Sequence, residues 1–144
     1  MAGGGKGRGA PMERFAIGQA TSRLNRLAFE LRRAAKSGDP GAVHDLRVSI
    51  RRFVQCLRVF GQFFPAKEAK RMRRRLGEVM DLAAGVRNRD IAIGLLIEAG
   101  LDQGSSLIAS QEEERRRALR ELASVLRRWN RREFSAKWRA RLKL

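Results

Sequence analysis

The sequence predicts an all-α chain folded as an antiparallel bundle of four to six helices, and three observations carry that expectation. Apolar residues recur at steps of three and four through nearly every stretch, as in Val43, Leu46, Ile50, Phe53, Leu57 and Phe60. No segment alternates apolar and polar residues with a period of two, and no β-hairpin signal appears. Glycine and proline gather between the periodic stretches, so connections are short and neighbouring helices run antiparallel. At 144 residues the chain supports one core rather than two.

Residues 1–11 are rich in glycine and poor in apolar side chains and are expected to form a disordered tail, leaving residues 12–144 as the single folded domain. A first helix is expected from about Met12 to Ser37. Its inward face carries Ile17, Ala20, Thr21, Leu24, Leu27, Ala28, Leu31 and Ala34 or Ala35. Gly38-Asp39-Pro40-Gly41 ends it. The second helix, about Pro40 to Phe63, carries the apolar series given above. Pro65 then breaks the chain and opens a third helix to about Ala84, packed through Ala69, Met72, Leu76, Val79, Met80 and Ala83. Gly85 weakens helicity, so Ile91 to about Ala99 reads as a separate short fourth helix. Ser105 or Ser106 caps a long fifth helix to about Arg132, with Leu119, Leu122, Val125, Leu126 and Trp129 inward. A last segment, Phe134 to Leu142, places Phe134, Trp138 and Leu142 on one face.

The charge is extreme. Thirty-two Lys+Arg face fifteen Asp+Glu, for a formal net charge of +17 and a pI near 11.7. Such an imbalance speaks of partners rather than fold and points to polyanions: nucleic acid, anionic lipid or an inorganic phosphate polymer. Only six of the basic residues are lysines, the remainder being arginine, whose planar fork grips phosphate oxygens in pairs. An arginine-rich composition also follows from a GC-rich genome, but that bias does not decide where the arginines stand. Cys56 is the sole cysteine, which excludes an intrachain disulfide and suits a reducing cytoplasm. No secretory signal is visible, and the longest apolar run, Ile91 to Ile97, falls far short of the ~20 residues of a spanning helix. A soluble cytoplasmic protein is the expectation.

The cations are ordered. One position from the apolar seam of the second helix, His44, Arg47, Arg51 and Arg58 step by 3, 4 and 7. The third helix has its own stripe in Lys67, Lys70, Arg71 and Arg74. Between His44 and Arg75 ten Lys or Arg stand against two acids, a surplus of eight. If the two stripes converge on one groove, their mutual repulsion calls for an anion; otherwise both are merely solvated faces. In the fifth helix, Glu112–Glu114 preceding Arg115–Arg117 reads as i,i+3 and i,i+4 pairing on an exposed surface. His44, the only histidine, is a core or capping residue, a donor to phosphate, or a base.

Catalysis finds little support. One histidine makes no metal site, and Cys56 lies twelve residues further on the same helix, about 18 Å along its axis. His44 and Asp45 are adjacent and do not face each other. A binding protein without enzymatic activity, cofactor or metal is the reading from residues alone. Its partner is either a phosphate polymer or, as the alternative, nucleic acid or a ribosome. Against the latter, few aromatics interleave with the basic residues, and Phe53, Phe60, Phe63 and Phe64 read as core.

Val43-His44-Asp45-Leu46-Arg47-Val48, then Arg51-Arg52-Phe53, then Leu57-Arg58-Val59-Phe60 resemble the signature of the CHAD family, the conserved histidine α-helical domain. Gly85-Val86-Arg87-Asn88-Arg89-Asp90-Ile91 is similar to its second landmark, and the likeness is good over roughly Phe15 to Leu96. The resemblance implies an all-helical fold and binding of inorganic polyphosphate, often in phosphate-rich granules. It further implies ligand contacts at His44, Arg47, Arg51, Arg52 and Arg58, with Lys70, Arg74 and Arg87 as weaker contacts from the facing helix and turn. Asp90 would orient an arginine. Members of the family have two related halves around a basic channel, and this sequence resembles the N-terminal half alone, one half of a CHAD-type fold. Either a homodimer rebuilds the pair, or a single bundle binds with an open groove; the apolar Phe134, Trp138 and Leu142 would suit a dimer and equally suit folding back onto their own bundle. Val54 stands where the family commonly has an arginine, so one rung of the ladder is absent.

Overall fold

The computed structural model describes the backbone of residues 2–144 and the side chains from Ala10 onward. Five α-helices and one 3-10 turn make up the described residues, with no strand among them. They are α1 (Ala2–Lys36), α2 (Pro40–Val59), the 3-10 turn Gly61–Phe63, α3 (Ala66–Glu98), α4 (Ser106–Arg131) and α5 (Phe134–Leu142). Helices α1 to α4 form a ring in which each packs on the next and α4 returns to α1, while the diagonal pairs stay apart. Helix α5 folds back across the end of the ring against α1, α3 and α4. The all-α antiparallel bundle is thus the architecture observed.

Helix α1 begins at Ala2, about ten residues before the periodicity predicts. The extra turns fall in the glycine-rich stretch expected as a tail, where the side chains through Gly9 lie outside the described residues. From Ala16 onward the packing face is as expected: Ala20, Leu24, Leu27, Leu31 and Ala34 are buried. The turn to α2 is built by local hydrogen bonds. Asp39 is the N-cap, its Oδ1 accepting from the Ala42 backbone N–H at 2.8 Å, and Pro40 takes the first helical position, where no donor is needed. Ser37 donates its hydroxyl to the other Asp39 oxygen at 2.6 Å. Burial then follows the seam of α2 at Val43, Leu46, Ile50, Phe53 and Leu57. The helix stops at Val59 rather than Phe63, because Phe64 must be extended to precede Pro65 and the residues between tighten into the 3-10 turn.

The largest departure from expectation is in α3. The third and fourth helices are one, 33 residues long and so about 50 Å. Gly85 does not break it. A glycine inside a helix costs only about 1 kcal/mol relative to alanine, and the buried Ala83 and Val86 carry the apolar face straight through. A β-carbon at Gly85 would meet nothing within 4 Å. Gly85→Ala is therefore expected to stabilise the fold by roughly 0.5–1 kcal/mol, read as a higher urea midpoint with unchanged m. The helix ends where Gly100, at φ 95°, lets Leu101 and Gly100 donate to the carbonyls of Leu96 and Ile97 at 3.1 and 2.9 Å.

Ser105 caps α4, accepting from the Ile108 N–H at 3.2 Å. The acidic and basic triplets pair only in part along the helix, as Glu113–Arg116 at 2.9 Å. Glu114 instead reaches Arg89 of α3 at 3.0 Å, and Arg115 reaches Asp90. Two members of an expected surface pattern thus clasp α4 to α3. Helix α5 gives its three apolar residues to its own bundle: Phe134, Trp138 and Leu142 are all buried. The ring of Trp138 lies 5.3 Å from those of Trp129 and Phe134 and 6.0 Å from that of Phe53. These side chains close an internal core and offer no face to a second copy. Among the described residues, no helix is long and apolar enough to cross a membrane.

Candidate anion-binding site

Helix α2 has a flank toward α3 and a flank toward α1, and its basic residues divide between them. His44 and Arg47, with Pro40, form one wall of a cavity of about 260 Å³, and Arg87, Asp90 and Ile91 of α3 form the other. Arg51, one turn beyond Arg47, acts on it electrostatically, as does Arg87 across the groove. These four residues come from two separated stretches of sequence and meet because α2 and α3 run antiparallel, bringing the start of one beside the later turns of the other. His44 is exposed and caps nothing, Asp39 being the cap, so neither the core nor the capping reading holds for it.

Arg47 is only partly exposed, and its Nε is buried with no hydrogen-bond partner. Burial first, then the charges of Arg87 and Arg51, pull its pKa below the ordinary arginine value. Among the described residues, no carboxylate lies within ion-pair distance of Arg47, Arg51 or Arg87. A buried donor left unmade costs free energy. Converging cations without counter-charge repel one another and do not add to internal stability.

The one carboxylate in the groove's lining, Asp90, is paired from outside it. It lines the cavity, yet its oxygen is taken by the Nε of Arg115 from α4. The same guanidinium donates to the Gly38 carbonyl at 2.6 Å and so ties α3, α4 and the α1–α2 turn together. Arg115→Ala is expected to weaken anion binding several-fold although Arg115 lines no part of the cavity, because the released Asp90 turns to Arg87. The Arg115→Ala/Asp90→Ala pair should recover most of the loss in a binding titration. Further loss in the double variant would contradict this role.

Arg52 lies on the other flank. Stepping one residue from Arg51 rotates the position by ~100°, and Arg52 faces α1 across a second cavity of about 270 Å³ with Arg23, Arg26 and His44. This groove holds its own acids. Buried Glu30 receives Arg26 at 2.8 Å and Arg33 at 3.3 Å, and Asp45 receives Arg33 at 2.6 Å. Arg26 is thereby paired, whereas among the described residues Arg23 and Arg52 have no carboxylate within ion-pair distance. Arg58, Lys70 and Arg74 line neither cavity and are exposed. By helical phase Lys70 and Arg74 sit on the side of α3 away from the core seam, so the two basic stripes do not converge over their whole length. Arg73, seven residues before the half-buried Met80 and fourteen before Arg87, shares the groove-side face instead. It breaks the regularity of the Lys67–Arg74 stripe, which is why a stripe search passes over it. Arg23 and Arg26 belong to α1, where no series of cations announces them.

Cys56 is buried, and burial pushes its thiol pKa up, as suits an inert packing residue. Among the described residues, no group of three His, Cys, Asp or Glu is placed to hold a metal ion. The family model of the CHAD domain matches residues 18–144, which includes both walls of the groove and runs well beyond the landmarks in α2 and α3. Searches of curated proteins and of solved structures return no significant match.

Proposed function

This chain belongs to the CHAD domain family, a domain associated in general with polyphosphate binding, and we propose that it binds inorganic polyphosphate along the α2–α3 groove without catalysing its turnover. His44, Arg47, Arg51 and Arg87 are the primary contacts in this reading. Arg58, Lys70 and Arg74 serve longer chains that run on past the cavity, and Arg52 serves segments that cross His44 toward α1. The observation that carries it is the unpartnered Arg47, held beside Arg51 and Arg87 with Asp90 drawn off by Arg115. Successive phosphoryl units present oxyanions that can accept paired N–H bonds from each fork in turn. Neutralisation of the cation cluster then adds the repulsion it relieves to the affinity.

Nucleic acid would meet the same cations through its phosphates. No aromatic residue lines the groove cavity, Phe53 being buried against Trp138 and Phe60 lying against Phe15 of α1, so no stacking platform supports bases there. Competition separates the two ligands. Polyphosphate is expected to displace a labelled RNA at far fewer phosphate equivalents than RNA displaces polyphosphate; parity would favour general nucleic-acid binding. Incubation of labelled polyphosphate with protein and magnesium should leave chain length unchanged. A homodimer belongs to the proposal only away from α5, whose apolar residues are spent within the bundle. Light scattering with and without polyphosphate tests it. Association with polyphosphate granules would follow from binding and is checked by imaging the tagged protein against a phosphate-polymer stain.

A further inference from the structure

A second cluster of cations lies on the opposite flank of α3, in the groove shared with α4. Arg75 of α3, Arg128 of α4 and Arg132 at the C-cap of α4 surround a cavity of about 170 Å³ whose wall includes Trp129. Arg75 stands twelve residues before Arg87, about 18 Å away along the helix. The two grooves therefore share a helix but no residue.

Three features give this groove the character of a site. The Arg75 guanidinium lies 4.7 Å from the centre of the Trp129 ring, a cation–π contact that holds it against the groove wall. Among the described residues, Arg75, Arg128 and Arg132 have no carboxylate within ion-pair distance, although Glu78 lines the same cavity. Burial first, then Arg141, lowers the Arg75 pKa, with Arg132 and Arg71 adding to the effect and Glu78 opposing it. Cations near the end of a helix are favoured by its dipole, which accounts for Arg128 in the last turn of α4 and Arg132 at its C-cap. It does not account for Arg75, which comes from the interior of α3.

We propose that the α3–α4 groove is a second site for a phosphoryl group, held by Arg75, Arg128 and Arg132. Trp129 is covered by Arg75 and only 6% exposed, so it orders the fork rather than stacking a base. The chemistry called for is a compact oxyanion: a run of the same phosphate polymer or a free phosphate. With two grooves on separate flanks of one helix, a single chain engages two segments of polymer, and long chains gain avidity that short ones lack. This inference shares the phosphate chemistry of the preceding reading but none of its residues.

Calorimetric titration with tripolyphosphate, beside tryptophan emission, tests it. The parent protein should bind two equivalents. Arg128→Ala/Arg132→Ala, both exposed positions, should lose one equivalent and the emission change while keeping the other. Arg47→Ala/Arg51→Ala should lose the α2–α3 equivalent and keep the emission change. Arg128→Lys/Arg132→Lys controls for bulk charge and should restore binding only in part. Orthophosphate in place of tripolyphosphate distinguishes a free-phosphate site from one that needs a chain. One equivalent in the parent, or unchanged stoichiometry and emission in Arg128→Ala/Arg132→Ala, overturns the second site. Loss confined to the α3–α4 variant, with Arg47→Ala/Arg51→Ala binding as the parent does, would instead overturn the α2–α3 reading and leave this one standing.

Discussion

Replacing Arg47 and Arg51 together by alanine is expected to cut polyphosphate affinity by roughly a hundredfold or more. Each charge-assisted hydrogen bond contributes about 1.5–3 kcal/mol, and every 1.4 kcal/mol is about tenfold in affinity. The salt dependence should flatten as well, the slope of log affinity against log salt falling by about 0.7 for each phosphate contact removed if the polymer behaves as a single strand does. Stability separates this result from simple unfolding. Arg47 has a buried Nε without a partner and two cationic neighbours, so its removal relieves repulsion. The loss of its aliphatic stem works the other way. The unfolding free energy of the double variant, from urea titration, should accordingly stay within about 1 kcal/mol of the parent. A large drop in both binding and stability would mean that the arginines hold the bundle together, and the site assignment would fail.

Trp138→Ala carries the largest expected effect on stability. The side chain is 1% exposed and touches the rings of Phe53, Trp129 and Phe134, so it joins α2, α4 and α5 in one aromatic cluster. Truncation of a buried tryptophan to alanine costs about 3–5 kcal/mol, a large share of the 5–15 kcal/mol typical of a whole domain. Chemical denaturation should show this loss together with a drop in near-ultraviolet dichroism. Trp138→Phe should recover more than half of it, since a smaller ring still fills much of the space. A variant of parental stability would show that α5 lies loosely on the bundle and is not needed to close it.

Much of the fold is legible because helical phase is a local property. The steps between Val43, Leu46, Ile50, Phe53 and Leu57 fix which side of α2 faces inward, whatever its neighbours are, and all five are buried. The same holds for Leu24, Leu27 and Leu31 in α1 and for Leu122, Leu126 and Trp129 in α4. Gly85 misleads for an energetic reason: a local propensity cost is outweighed by tertiary packing of Ala83 and Val86 on either side. The candidate site is legible in part. His44 and Arg47 announce themselves by spacing and Arg87 by its landmark, and these three line one cavity. Phase alone does not say which helix lies on which flank. Arg52, which the family resemblance groups with the ladder residues although it is not one of its rungs, faces α1 instead. The Arg115–Asp90 pair joins residues 25 apart in sequence and follows from no spacing rule, and neither does Arg75 over Trp129.

The central claim is that the unpartnered forks of the α2–α3 groove take the phosphates first, ahead of the many other arginines on the surface. Titration of a short polyphosphate into isotope-labelled protein, followed through arginine Nε–H resonances, tests this at the level of single side chains. Arg47, Arg51 and Arg87 should shift at the lowest ligand ratios, while Arg33, already bound to Glu30 and Asp45, should remain still. Equal, gradual movement of all the arginine signals, with no preference for the groove, would contradict it.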